Sequence, residues 1–145
     1  MRTITSDRWL IVSGNEGGRN VVIGIVNKIP ALEVRQRFPV RLTVDWEYSS
    51  SHFGMPSESE IVNRRDIEDG ISRIVGTRGT LAMTRTGNGG CVWLYYVDNV
   101  DSIVDPIKDF FDAQPPLSVR VSRQHDEDWK SVSKLLAATA PPLKP

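Results

Sequence analysis

Two histidines and one cysteine bound the chemistry open to this chain. His52 lies in the Ser49–Pro56 segment beside Ser49, Ser50 and Ser51, so a serine nucleophile with His52 as its base is the one hydrolytic arrangement on offer. Such catalysis also needs an acid to orient the imidazole and donors for an oxyanion, and the surrounding sequence marks neither. Consecutive serines near Gly54 and Pro56 read more simply as loop. Cys91 begins an apolar run with no helix terminus or basic cluster beside it, which is the setting of a small buried residue and not of an activated thiol. His125-Asp-Glu-Asp128 gathers one imidazole and three carboxylates, but four adjacent side chains cannot converge on one ion, and no second cluster completes a shell. The structural use of those acids is a helix start, where they complement the helix dipole while Trp129 packs inward. Gly87-Asn-Gly-Gly90 is glycine-rich, yet it joins two predicted strands, whereas phosphate cradles sit between a strand and a helix. No catalytic residue, metal site or cofactor is expected.

The elements that would position these residues are legible from hydrophobic periodicity. Val40, Leu42, Val44, Trp46 and Tyr48 alternate with Arg41, Thr43, Asp45 and Glu47, which is a half-buried strand. Ser57 and Glu60 fit a capping box opening a helix to about Val75, with Ile67, Ile71, Ile74 and Val75 as its apolar stripe and Gly76 as its stop. Gly70 is expected to admit close contact with the sheet. Arg78–Thr84 reads as a strand with Leu81 and Met83 on one side, and Cys91–Val97 as its returning partner, central and covered on both faces. A helix from about Ser102 to Asp112 follows, its start drawn toward Asp105 by Pro106. Leu117, Val119 and Val121 mark a last strand, and Asp126–Trp129 opens a short helix to about Ala138. Upstream, Arg8–Ser13 and Asn20–Asn27 flank turn residues as a hairpin, and Pro30–Pro39 reads as a linker.

The order from Val40 is β-α-β-β-α-β. It predicts an α+β class with a ferredoxin-like antiparallel sheet, both helices on one face, an N-terminal β-hairpin and a short C-terminal helix. The expected division is a hairpin extension over 1–37, the α+β domain over 38–138, and a disordered tail over 139–145.

The 145 residues carry 18 basic and 18 acidic groups, for zero formal charge. That excludes a basic nucleic-acid footprint over the whole domain. The strand face offering Arg41, Thr43, Asp45 and Glu47 has no aromatic for stacking bases, and Trp93, Tyr95 and Tyr96 read as core. The N-terminus lacks an apolar signal core, and no run approaches the roughly 18 apolar residues of a membrane span. A cytoplasmic protein with no membrane or nucleic-acid partner is expected. The neutral total conceals a dipolar layout: residues 1–44 have a net charge of +4, 45–112 of −6 and 113–145 of +2. The acids of the middle block fall largely on the two predicted helices, where they would form one acidic panel able to steer a basic protein partner.

Several segments resemble a bacterial family known as domain of unknown function 695. They are Phe38-Pro-Val-Arg-Leu-Thr-Val-Asp-Trp-Glu-Tyr48, Phe53-Gly-Met-Pro56, the acidic helix Glu58–Val75, Val92-Trp-Leu-Tyr-Tyr96 and Asp126-Glu-Asp-Trp129. The resemblance covers roughly residues 38–138 and leaves the hairpin outside. It is similar in layout to the ribonuclease E regulator B proteins, and it implies a ferredoxin-like domain without catalytic residues, from a family found at toxin–immunity loci. The expected function is therefore a non-enzymatic, immunity-type inhibitor binding a toxin domain, a basic nuclease in the leading case. The expected contact residues are Glu58, Glu60, Asp66, Glu68, Asp69, Asp101, Asp105, Asp109 and Asp112, with Trp46, Tyr48 and Phe53 as secondary aromatic candidates and Trp9 with the N-terminal hairpin as the alternative interface. A regulator of a housekeeping ribonuclease is the alternative, and a small hydrolase using His52 the third.

Overall fold

The alternation over Val40–Glu47 builds a strand, and that strand sits inside the sheet with a neighbour on each side. The computed structural model describes residues 2–5, 9–48, 57–98, 101–113 and 118–139. In chain order the elements are β1 (Arg2–Thr5), β2 (Trp9–Glu16), β3 (Arg19–Val26), α1 (Leu32–Arg37), β4 (Val40–Glu47), α2 (Glu58–Val75), β5 (Gly79–Gly87), β6 (Gly90–Val97), α3 (Asp101–Asp112), β7 (Ser118–His125) and α4 (Lys130–Thr139). The strands form one antiparallel sheet in the order β1-β2-β3-β5-β6-β4-β7, so the fold is α+β.

The sheet is larger than the four strands expected. The hairpin of β2 and β3 forms as read, with the Asn15 side-chain oxygen accepting from Gly18 N at 2.8 Å, but it is no appendage. β3 pairs with β5 from Val21↔Gly87 to Ile25↔Met83, which makes β5 an interior strand. β1 and α1 were not anticipated. α1 buries no residue, so the 30–39 stretch had no apolar stripe to betray a helix. The buried Phe38 ends it, its amide donating to Val34 O.

Two cores lie on opposite faces of the sheet. On one, Ile67, Ile71 and Val75 of α2 and Ile103 and Ile107 of α3 pack on Leu42, Val44, Trp46, Trp93, Tyr95 and Val97. On the other, Trp129 and Val132 pack on Leu10, Ile25, Phe38, Met83, Leu94 and Tyr96. The two faces explain why β6 is apolar at successive positions. Leu81 and Met83 do not share a side: a bulge between them sends Leu81 to the first core and Met83 to the second. α3 begins at Asp101, with Pro106 inside it and not at its start. The lost hydrogen bond and ring clash cost about 3 kcal/mol, and burying Ile103 and Ile107 offsets them at about 1.5–3 kcal/mol each.

α4 is fixed to the second face by an acid. Asp126 accepts from the Tyr96 hydroxyl at 2.7 Å, from Lys130 N at 2.8 Å and from Ser131 N at 3.2 Å. Burial works against its charged form, but those donors together hold its carboxyl below the usual carboxylate range. A depressed native value stabilises the fold above the unfolded pKa of about 3.9, and that contribution is lost as pH falls through the native value. Acid titration followed by Trp fluorescence is expected to show α4 releasing first, and Asp126→Asn to remove that component of the acid transition.

Candidate partner-binding surface

α2 starts where its capping box places it. Ser57 Oγ accepts from Glu60 N, and Glu60 Oε1 accepts from Ser57 N at 2.8 Å. α2 and α3 lie side by side on one face of the sheet, in contact with each other. Gly70 serves that contact: a Cβ there would stand 2.3 Å from the Phe110 ring of α3. The close approach is thus helix to helix, and not helix to sheet as the sequence suggested.

The nine expected contact acids divide into two groups. Glu60 is spent on the cap, Glu68 accepts from Trp93 Nε1 at 3.0 Å, and Asp101 is bonded to Arg123. Glu58, Asp66, Asp69, Asp105, Asp109 and Asp112 are exposed. α2 also bears Arg64, Arg65 and Arg73, and α3 bears Lys108, so the helices have net charges of −2 and −3. Ile61 and Val62 on α2 are 36% and 55% exposed, adding aliphatic surface. The secondary aromatic candidates Trp46 and Tyr48 are buried, their rings tilted 59° to each other with centroids 5.3 Å apart, and are excluded as contact residues. Phe53 lies outside the described residues, as do Ser49, Ser50, Ser51 and His52 of the hydrolytic arrangement.

Other chemistry-bearing groups have partners within the fold. The Cys91 thiol donates to Thr86 Oγ1 at 3.7 Å, and burial pushes it up despite the lowering influence of Thr86 and Arg64. The Tyr95 hydroxyl, paired with Ser72, is pushed up to about 12, burial being the main cause. His125 faces Glu127 at 3.8 Å on the surface, while Asp126 holds α4. Among the described residues, no three His, Cys, Asp or Glu side chains converge as a metal site would require. No described helix is long and apolar enough to cross a membrane.

The family of unknown function DUF695 matches residues 7–136. This chain belongs to that family. No curated protein and no solved structure matches it. The DUF695 span begins well before residue 38, so the hairpin lies within the family's extent, in keeping with the pairing of β3 on β5.

In this DUF695 chain the sequence also hid a second polar feature. Arg85, Val92, Asp45 and Arg120 fall in one cross-strand row on the face opposite α2 and α3. With Arg19 and Glu47 they wall a depression of about 520 Å³, floored where Gly87 and Gly90 face each other without side chains. Alternation in β4 puts Asp45 and Glu47 on that face, but their arginine neighbours come from strands whose register no local pattern reveals. The wall carries both charge signs, unlike the mostly apolar lining of small-molecule pockets.

Proposed function

We propose that this chain is a non-catalytic protein-binding domain, an immunity-type inhibitor of the bacterial cytoplasm that neutralises a basic toxin domain of the nuclease class. The partner docks on the face made by α2 and α3. The observation carrying this reading is the set of six exposed carboxylates on two adjoining helices, with Ile61 and Val62 exposed on the same α2. Apolar contact supplies affinity at such an interface, while the surrounding charge supplies encounter rate and selectivity. A ferredoxin-like description of residues 38–138 belongs to the same reading. It is supported by the order β7-β4-β6-β5, by antiparallel pairing of all neighbours and by α2 and α3 sharing a face. The likeness in layout to ribonuclease E regulator B proteins rests on that description.

Proteins captured on the immobilised chain from its native host, identified by mass spectrometry, are expected to include a toxin encoded beside its gene. Recovery of a housekeeping ribonuclease would move the reading to a host regulator, and recovery of neither would count against both. With the partner in hand, reversing Asp66, Asp69, Asp105 and Asp109 to Lys is expected to slow association by about tenfold or more at low salt and to flatten its salt dependence. Stopped-flow association rates across a salt series measure this. Unchanged rates would place the interface elsewhere.

A further inference from the structure

β7 is the last strand of the sheet, and it pairs only with β4 along Val40↔His125 to Glu47↔Ser118. Half of its backbone N–H and C=O groups therefore point away from the sheet, and among the described residues no backbone group pairs with them. An eight-residue edge of this kind is a template for another strand. α3 runs beside it. Asp101, Val104, Asp105 and Lys108 recur at helical spacing along one side of α3, and with Val121 and Arg123 of β7 they line a groove of about 400 Å³.

We propose that this groove takes an extended segment of the protein partner as an eighth strand, hydrogen-bonded to the outer edge of β7. Strand addition uses main-chain bonds for affinity and pockets for alternate side chains for selectivity. Val104 and Val121 are half-buried and give the groove an aliphatic floor. Arg123 already holds Asp101 and closes that end. Asp105, next along the same stripe, is exposed and forms no ion pair among the described residues, so it is the acid open to an incoming cation. Side chains on one face of an extended chain recur at every second residue, so the group over the valine floor and the cation at Asp105 fall on alternate positions. The segment that fits has an aliphatic residue and, two positions away, a Lys or Arg. The inference rests on the reading that a basic protein meets this face, and it names how one segment of that protein is held.

The probe is a pool of acetylated and amidated seven-residue peptides, with threonine at the odd positions and random residues at the three even ones. It is selected on the immobilised full chain. Selection is expected to return an aliphatic residue two positions from Lys or Arg. The selected peptide is expected to slow hydrogen exchange at alternate amides of β7 at least tenfold. Methylating its alternate amide nitrogens on one edge is expected to weaken binding at least tenfold, as is Asp105→Lys. A selection without enrichment overturns the proposal, as does an affinity indifferent to N-methylation. Concentration-dependent protection of β7 without peptide also overturns it, because a second copy of the chain then occupies the edge. If the peptide fails while the four charge reversals still slow the protein partner, strand addition falls and the docking face stands. If the peptide binds as expected and the reversals are silent, the docking face falls alone.

Discussion

Trp129→Ala is expected to cost about 3–5 kcal/mol, the range for emptying a buried aromatic site. Trp129 is 1% exposed, stacks on Tyr96 with centroids 4.1 Å apart and planes 6° apart, and donates from Nε1 to Phe38 O at 3.0 Å. It also has a φ of 55°, a left-handed conformation that costs a non-glycine residue about 1–3 kcal/mol. Its surroundings hold it there: the amide donates to Asp126 O, the ring fills the space under α4, and its carbonyl accepts from Ser133 N. Truncation keeps the backbone strain and removes what opposes it. Urea unfolding should show the full loss, and hydrogen exchange should show protection disappearing from α4 before the rest of the sheet. Trp129→Phe, which keeps most of the stacking and loses the bond to Phe38, is expected to cost less.

Gly87→Ala is the second large effect. Gly87 has a φ of 134°, and a Cβ there would lie 2.3 Å from Asn20 O and 2.9 Å from Val21 Cα, both backbone atoms of β3. The conformation alone costs about 1–3 kcal/mol. The clash adds to it, because two paired strands cannot yield as a side-chain tip can. The strain falls on the junction where β3 meets β5, so protection is expected to fall across β1, β2 and β3 while β4, β6 and β7 retain theirs. The neighbouring Asn88→Gly, at a φ of 52°, should leave stability within about 0.5 kcal/mol. Equal losses for both variants would show that the turn, and not the β3 contact, governs this end of the sheet.

How much of this was legible in advance follows from where each signal is stored. α2 was readable because its cap, its stripe and its stop all lie within the helix. The hairpin of β5 and β6 was readable because Asn88 and Gly89 both take positive φ, as a tight two-residue turn demands. α1 was not, since it buries nothing and so has no periodicity. The pairing of β3 with β5 was not, since register between distant strands leaves no mark on either. The acidic character of α2 and α3 was plain, but the engagement of Glu60, Glu68 and Asp101 in hydrogen bonds within the fold was not, because two of their partners, Trp93 and Arg123, come from other elements. The alternation in β4 already placed Trp46 and Tyr48 on its apolar face, and both are buried.

The position of β4 bears on how the chain is made. It flanks β6 on one side and β7 on the other, and both are synthesised after it. On the ribosome, both backbone edges of β4 emerge into water long before the strands that will pair with them. The non-local pairing also slows folding of the finished polypeptide. A nascent chain stalled before β7 therefore exposes a sticky ribbon to chaperones and to its neighbours, and truncations that remove β7 should be recovered as aggregates.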